Sequence, residues 1–491
     1  MNEFEQIYNI KMEIDQNISK HRLFLLSKED AINTVFEKLG VLFRLILSAS
    51  HNNVMEYIKE KVKTNAVNIS EIDFIQESLK WICRWSSKYC AEQSENKVKI
   101  SAEEIYELMG MAYSYEQFYR MWQLHNKQIV KFRQFGNKLE FTYCNEETYM
   151  VHVAYDTYIR KQDEYKELQN VLASSCKKKD LELIEQVHKS DFELGINFIF
   201  DGFDLNDYEI FSTALSNYIM MKITNSNLII PGVEGMIKLR KEEWIELIGS
   251  LCDLGREKIV SIIEFFTYNY EDINADLSLT YFLPSKDNFL LLSEGIFNIQ
   301  RPAVNALRIL AKINSKYLVA KNITREQQIR PGMDVIVYDK EKKHLQVIEL
   351  KYKLPIESTS DLINLDAMLN KAYNQIKIAE KMVEENKTFI LEEYFGESFK
   401  GIIPDFVDYF VITNYSVGTG RNCILPSPII LESHYLSMMK LNNGMYNVHY
   451  ALSDNGKGYI QHVEKRYARY LLSGYKIMVP EYLFKINAPR L

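Results

Sequence analysis

One stretch limits the fold more than any other: RPGMDVIVYDKEKKHLQVIELKYKLP, residues 330–355. Its two apolar parts, DVIVY and HLQVIELK, are rich in the β-branched residues that suit a pleated, half-buried surface. The DKEKK between them is polar and predicts a turn. Together they predict an antiparallel hairpin centred between Glu341 and Lys342. In that register Tyr338 faces Leu345, Ile336 faces Val347, and Asp334 faces Glu349. Side chains alternate across a strand, so Lys351 shares the face of Glu349, while Val335, Val337, Ile348 and Leu350 fill the other. Apolar residues on both faces predict strands inside a covered sheet.

Residues opposed on one face of a hairpin have Cβ atoms about 5 Å apart. Two carboxylates there repel each other, and charges at the end of a covered sheet are costly unless paired or metal-bound. The hairpin gathers two acids and one amine at one end of one face. Hard carboxylate oxygens suit Mg²⁺ or Mn²⁺, ions that keep several waters. A metal held by Asp334 and Glu349 would acidify one of those waters and polarise a phosphate. Lys351 could orient that water or stabilise charge developing on the phosphate oxygens.

The pattern G-x-D, fourteen residues, E-L-K resembles that of the PD-(D/E)XK nuclease superfamily, whose fold is restriction-endonuclease-like. Met333 stands where that family often has Pro, and Gly332-Met333-Asp334 is similar to its G-x-D variant. The resemblance spans residues 285–430, roughly, and implies a Mg²⁺-dependent endonuclease that hydrolyses phosphodiesters, with DNA the favoured substrate. It implies Asp334 and Glu349 as metal ligands and Lys351 as the catalytic amine. Many members carry a further Glu ahead of the Asp, and Glu294 is the upstream candidate. A helix often follows the E-x-K strand with a Gln or Lys facing the site. In LDAMLNKAYNQIKIAEKMVEE those residues are Gln375 and Lys371; a branch with Tyr four positions later is not matched, because Ala379 stands there. By analogy of fold alone, bacterial chains of this design belong to antiviral defence or DNA-processing systems.

The segment before the hairpin adds charge. Arg301, Arg308, Lys312, Lys316, Lys321, Arg325 and Arg330 face a single acid, Glu326. Pro302 is expected to open a helix over 302–320. Arg308, Lys312 and Lys316 lie four apart and form one stripe on it, attractive to a phosphate backbone. Lys353 and Lys371 extend the basic set. The net charge of −7 argues against a general coat for nucleic acid but leaves room for a local groove.

The 491 residues allow two or three domains. Residues 1–280 are expected to be mostly helical, since AINTVFEKLGVLFRLILSA and EEWIELIGSLCDLGREKIVSIIEFFTY place apolar residues three and four apart. Within them QIVKFRQFGNKLEFTYC predicts a hairpin, residues 129–144, about Gly136-Asn137. The aromatic run EIYELMGMAYSYEQFYRMW is read as core packing. Residues 281–491 are expected to form a second domain, an α/β core with a mixed sheet. There VDYFVIT is a strand, Gly418-Thr419-Gly420 a flexible turn, and Glu464–Leu472 a helix.

Other functions are excluded by what is missing. No apolar run approaches the length of a bilayer crossing. MNEFEQIYNIKMEID lacks the basic start and apolar core of a secretory signal, so a cytoplasmic location is expected. The six cysteines form no CxxC pair and are expected to be reduced, mostly buried thiols. The nine histidines are scattered, with no HExxH. No phosphate-binding GxxxxGK[ST] exists, so any energy-dependent step must come from a partner, which the helical region could recruit. A homo-dimer would bring two sites together to cut both strands. A second class stays open: a non-catalytic nucleic-acid-binding or protein-interaction protein on a degenerate nuclease fold.

Overall fold

Apolar periodicity and caps set the helices of the N-terminal region. A computed structural model of the chain describes residues 3–48, 51–67, 69, 71–150, 153, 201–225, 241–269, 281–284, 289–292, 317–321, 332–351, 359–421, 428–454 and 463–484. Its first five helices are α1 (Glu3–Ile18), α2 (Lys28–Ser48), α3 (His51–Val62), α4 (Glu71–Tyr89) and α5 (Ala102–Asn126). Helix α5 starts at a reciprocal capping box between Ser101 and Glu104, which satisfies two otherwise orphaned N–H groups. The aromatic run lies on α5 and is core: Tyr106, Tyr113, Tyr115 and Phe118 are buried. Trp81 and Trp85 of α4 meet Tyr115 edge to face. The Trp81 indole N–H donates to Glu116 at 2.6 Å, so a polar atom in this core is satisfied.

The hairpin at Gly136-Asn137 joins β1 (Val130–Phe135) to β2 (Lys138–Tyr143). Gly136 has φ +59°, a conformation that glycine adopts without steric cost. Helices α6 (Leu205–Asn225), α7 (Lys241–Leu251) and α8 (Arg256–Phe266) share a core of Phe211, Leu215, Trp244, Ile248, Ile259 and Ile262. Strands β3 (Thr267–Asn269), β4 (Tyr281–Pro284) and β5 (Phe289–Leu292) form a small antiparallel sheet, order β3-β5-β4.

The chain forms two compact units, each discontinuous. The first comprises Met1–Thr142, Asn197–Phe297 and Tyr467–Glu481; the second comprises Tyr143–Ile196, Asn298–Arg466 and Tyr482–Leu491. The sequence suggests a single division near residue 280, whereas here the C-terminal strands return to the first unit. Strand β12 (Tyr475–Phe484) lies parallel to β2, pairing Lys476 with Lys138, in a sheet of order β1-β2-β12-β11. Strand β11 (Val463–Leu472) occupies the segment expected to be helical. Its Glu, Lys, Arg and Ala residues favour helix, but Ala468, Tyr470 and Leu472 are buried alternately with exposed neighbours. That period of two, matched by a neighbouring strand, outweighs intrinsic propensity.

The second unit holds a five-stranded mixed sheet of order β10-β9-β8-β7-β6. Its strands are β6 (Leu318–Lys321), β7 (Val335–Asp339), β8 (His344–Leu350), β9 (Phe406–Thr413) and β10 (Ile429–Leu431). Pairs β6–β7 and β7–β8 are antiparallel, while β8–β9 and β9–β10 are parallel. Helix α9 (Thr359–Glu385) makes the crossover between the parallel strands β8 and β9. The helix expected over 302–320 cannot reach its end, because Leu318–Lys321 pairs with Val335–Tyr338 as an edge strand. A short apolar run reads equally as helix or strand, and the open edge of β7 decides it. One face of the sheet packs Ile336, Tyr338, Leu345 and Val347 against α9 and α10 (Ile390–Phe395). The other packs Val335, Val337, Ile348 and Phe410 against α11 (Glu432–Met439) and α12 (Gly444–Asp454). Among the described residues no helix is long and apolar enough to cross a membrane.

Candidate active site

The hairpin register is the one its sequence specifies. Tyr338 pairs with Leu345, Ile336 with Val347, and the ladder closes at Asp339 and His344 around the turn. Asp339 fixes that turn by accepting the N–H groups of Glu341 at 2.9 Å and Lys342 at 3.1 Å, an Asx-type bond. At the other end the ladder's last described pair is Val335 with Ile348. Asp334 and Glu349 lie one step beyond.

Backbone amides hold both carboxylates. The N–H of Leu350 donates to Asp334 Oδ2 at 2.8 Å, and the N–H of Gly332 donates to Glu349 Oε2 at 2.8 Å. Lys351 pairs with the remaining oxygen of Glu349, and its own N–H donates to Ile412 of β9 at 2.8 Å. Glu349 is only 2% exposed. Burial pushes its carboxyl above the ordinary range and the charge of Asp334 adds to this, while Lys351 and the Gly332 N–H pull the other way. The site therefore holds one amine against two acids, an excess of negative charge in a buried place.

Gly332 is indispensable to this arrangement. Its φ is +82°, and a Cβ there would stand 2.3 Å from the backbone oxygen of Gln375 and 2.7 Å from Ala379. The loop thus lies directly on α9, which brings Gln375 to the neighbourhood of the acids. The side-chain oxygen of Gln375 is buried with no hydrogen-bond partner among the described residues. Lys371, one turn earlier, is exposed on the same helix. Arg308, Lys312, Lys316, Lys353 and Glu294 lie outside the described residues, as does most of the helix expected over 302–320.

The loop after β9 differs from its expectation as a flexible turn. Asp366 of α9 accepts the N–H of Thr419 at 2.9 Å and also binds its hydroxyl. Gly418 leaves no room for a Cβ beside that carboxylate, and Ser416 and Thr419 are buried. Neither this anchor nor the amide grip of Gly332 is readable from spacing, because both depend on where α9 docks. Compared with protein-family models, with curated proteins and with solved structures, the chain matches none.

The donor chemistry fits a hard divalent ion. Asp334 and Glu349 each keep one oxygen off the backbone amides, and oxygen donors of this type suit Mg²⁺ or Mn²⁺. The raised carboxyl also has a consequence for stability. The folded chain holds the Glu349 proton more tightly than the unfolded chain does. That contribution is fully present below the ordinary value of 4.5 and is lost as pH rises through the folded-state value. At neutral pH without metal, the ionised carboxylate is a net cost. Glu349→Gln is expected to raise the thermal midpoint in chelator at neutral pH. The gain should shrink toward pH 4.5. Calorimetry across that range checks it, and a lower midpoint for the variant at neutral pH would contradict the assignment.

Proposed function

We propose that the chain is a divalent-metal-dependent nuclease, with DNA as its favoured substrate and Asp334, Glu349 and Lys351 as its catalytic set. The supporting observation is the strand-end cluster itself: two amide-held carboxylates, one of them buried, shifted upward and paired with one amine. A mixed sheet, with the long helix α9 following the E-x-K strand in sequence, also agrees with the resemblance to PD-(D/E)XK nucleases, in which such a helix often follows that strand.

Asp334 and Glu349 would hold the ion. Bound there, Mg²⁺ supplies a Lewis acid for a phosphate oxygen and lowers the pKa of a water. The amides of Gly332 and Leu350 keep the two carboxylates from rotating, so their free oxygens are preorganised. Lys351 neutralises Glu349 in the metal-free chain. Once that charge is otherwise balanced, the amine is released to meet charge developing on the phosphate or to orient the attacking water. The buried side-chain oxygen of Gln375 would accept a hydrogen bond from that water and so help to orient it.

Supercoiled plasmid incubated with Mg²⁺ or Mn²⁺ tests the reading, alongside Mn²⁺ binding followed by electron paramagnetic resonance. The native chain should nick the plasmid and bind Mn²⁺, and Asp334→Ala should do neither. Equal nicking by both would remove the site. Absence of both cutting and Mn²⁺ binding in the native chain would instead favour a non-catalytic nucleic-acid-binding or protein-interaction role.

A further inference from the structure

The opposite end of the same sheet carries a second cluster of ligating side chains. Strand β8 begins at His344 and ends near Glu349, so the two sites are separated by roughly 16 Å of extended chain. In the parallel pairing of β8 with β9, Asp408 faces Gln346, which sets its carboxylate beside His344. His344 Nε2 lies 2.7 Å from Asp408 Oδ2. From α12, His449 Nδ1 lies 2.7 Å from Asp408 Oδ1. One carboxylate thus holds a different imidazole on each oxygen. The three ligating atoms all lie within 4.8 Å of one another.

The placement is rigid on two sides and open on the third. His344 and Asp408 are 4% and 6% exposed, whereas the His449 side chain is 50% exposed. Helix α12 is anchored to the sheet through Met445 and Val448, which pack with Phe410 and Ile348. A pocket of about 350 Å³ adjoins the cluster, lined by both histidines together with Tyr317, Asp339, Lys342 and Tyr446.

We propose that His344, Asp408 and His449 form a binding site for a borderline divalent transition ion, Zn²⁺ in the first instance. Two imidazole nitrogens and one carboxylate oxygen are the donor set such ions prefer, while Mg²⁺ prefers oxygen alone. Three protein ligands leave one tetrahedral position, which opens toward the pocket and takes a water or a small anion beside Lys342. Zinc–nitrogen and zinc–oxygen bonds of about 2.0–2.1 Å separate tetrahedral ligand atoms by about 3.4 Å. A single coordinating oxygen of Asp408 has one of the 2.7 Å contacts, which opens by about 0.7 Å, while the other ligand-atom pairs, which lie within 4.8 Å, draw in toward the same spacing, a motion that exposed His449 can make. On binding, each imidazole presents an unprotonated nitrogen to the ion and keeps its proton on the other ring nitrogen. Any proton in excess of one per ring is released to solvent. The site is independent of the acids at the far end of β8 and does not rest on the nuclease reading.

The full chain, stripped with chelator and titrated with Co²⁺, gives a direct test. One equivalent should produce the visible absorption of a tetrahedral nitrogen–oxygen site, displaced by Zn²⁺ and indifferent to a large excess of Mg²⁺. His449→Ala, a change at a half-exposed position, should lose the absorption while its cooperative thermal unfolding in chelator shows that the chain is still folded. Asp334→Asn should keep the absorption. Zn²⁺ should raise the thermal midpoint of the native chain and leave that of His449→Ala unmoved. Persistence of the visible absorption in His449→Ala would overturn the site, as would its absence in the folded native chain. In either case the trio is a hydrogen-bonded pin between α12 and the sheet.

Discussion

Lys351→Ala is expected to lower the rate of Mg²⁺-supported cleavage by roughly 10²–10³-fold, the effect of removing one preorganised group that meets transition-state charge. Its amine pairs with Glu349, directly beside the place where the two acids would hold the ion. Folding should survive the change. The Lys351 side chain is 18% exposed, and the backbone bond to Ile412 remains in the variant. Glu349 then loses its neutralising partner, so its carboxyl should rise further. Activity in the variant should accordingly demand higher pH. Rates measured with saturating Mg²⁺ over a pH series, with thermal unfolding as the folding control, check both parts. A variant within twofold of the native rate at every pH would remove Lys351 from the reaction.

Gly332→Ala should be the most damaging single-methyl change on the hairpin. A residue other than glycine at φ +82° costs about 1–2 kcal/mol, and the added carbon meets the backbone oxygen of Gln375 at 2.3 Å. Neither neighbour can yield without moving α9 or the loop. A total loss of about 3–5 kcal/mol is expected, in the range of severe backbone and overpacking defects. If the loop moves instead, the Gly332 N–H withdraws from Glu349, and the acid loses its orientation. Denaturant unfolding should show the destabilisation, and cleavage should fall even where the variant is folded. A midpoint equal to that of the native chain would show that Gly332 does not rest on α9.

The hairpin was legible in the sequence because two independent signals agree on it. The strand periodicity and the polar DKEKK turn specify one register, and Asp334 and Glu349 follow from it. Leu318–Lys321 was not legible: four residues carry too little periodicity to separate strand from helix, and the edge of β7 decides their form. The β11 segment misleads for the opposite reason, since its composition favours helix and a distant partner overrides it. The His344–Asp408–His449 cluster is hidden by topology. His344 and Asp408 meet only through a parallel register set across the 27-residue helix α9, and His449 joins from a helix beyond both strands. Spacing along the chain carries none of that.

The parallel pairing of β12 with β2 also bears on how the chain is made. Asn137 donates to the carbonyl of Gly474 across 337 residues of sequence. At ribosomal rates of about 5–20 residues per second, β2 waits roughly 15–70 s for the strand that completes its sheet. Through that interval it presents a bare row of amides and carbonyls, the template on which another nascent chain could add. Biosynthetic yield should therefore depend on translation speed and on holdase chaperones far more than the stability of the finished fold would suggest.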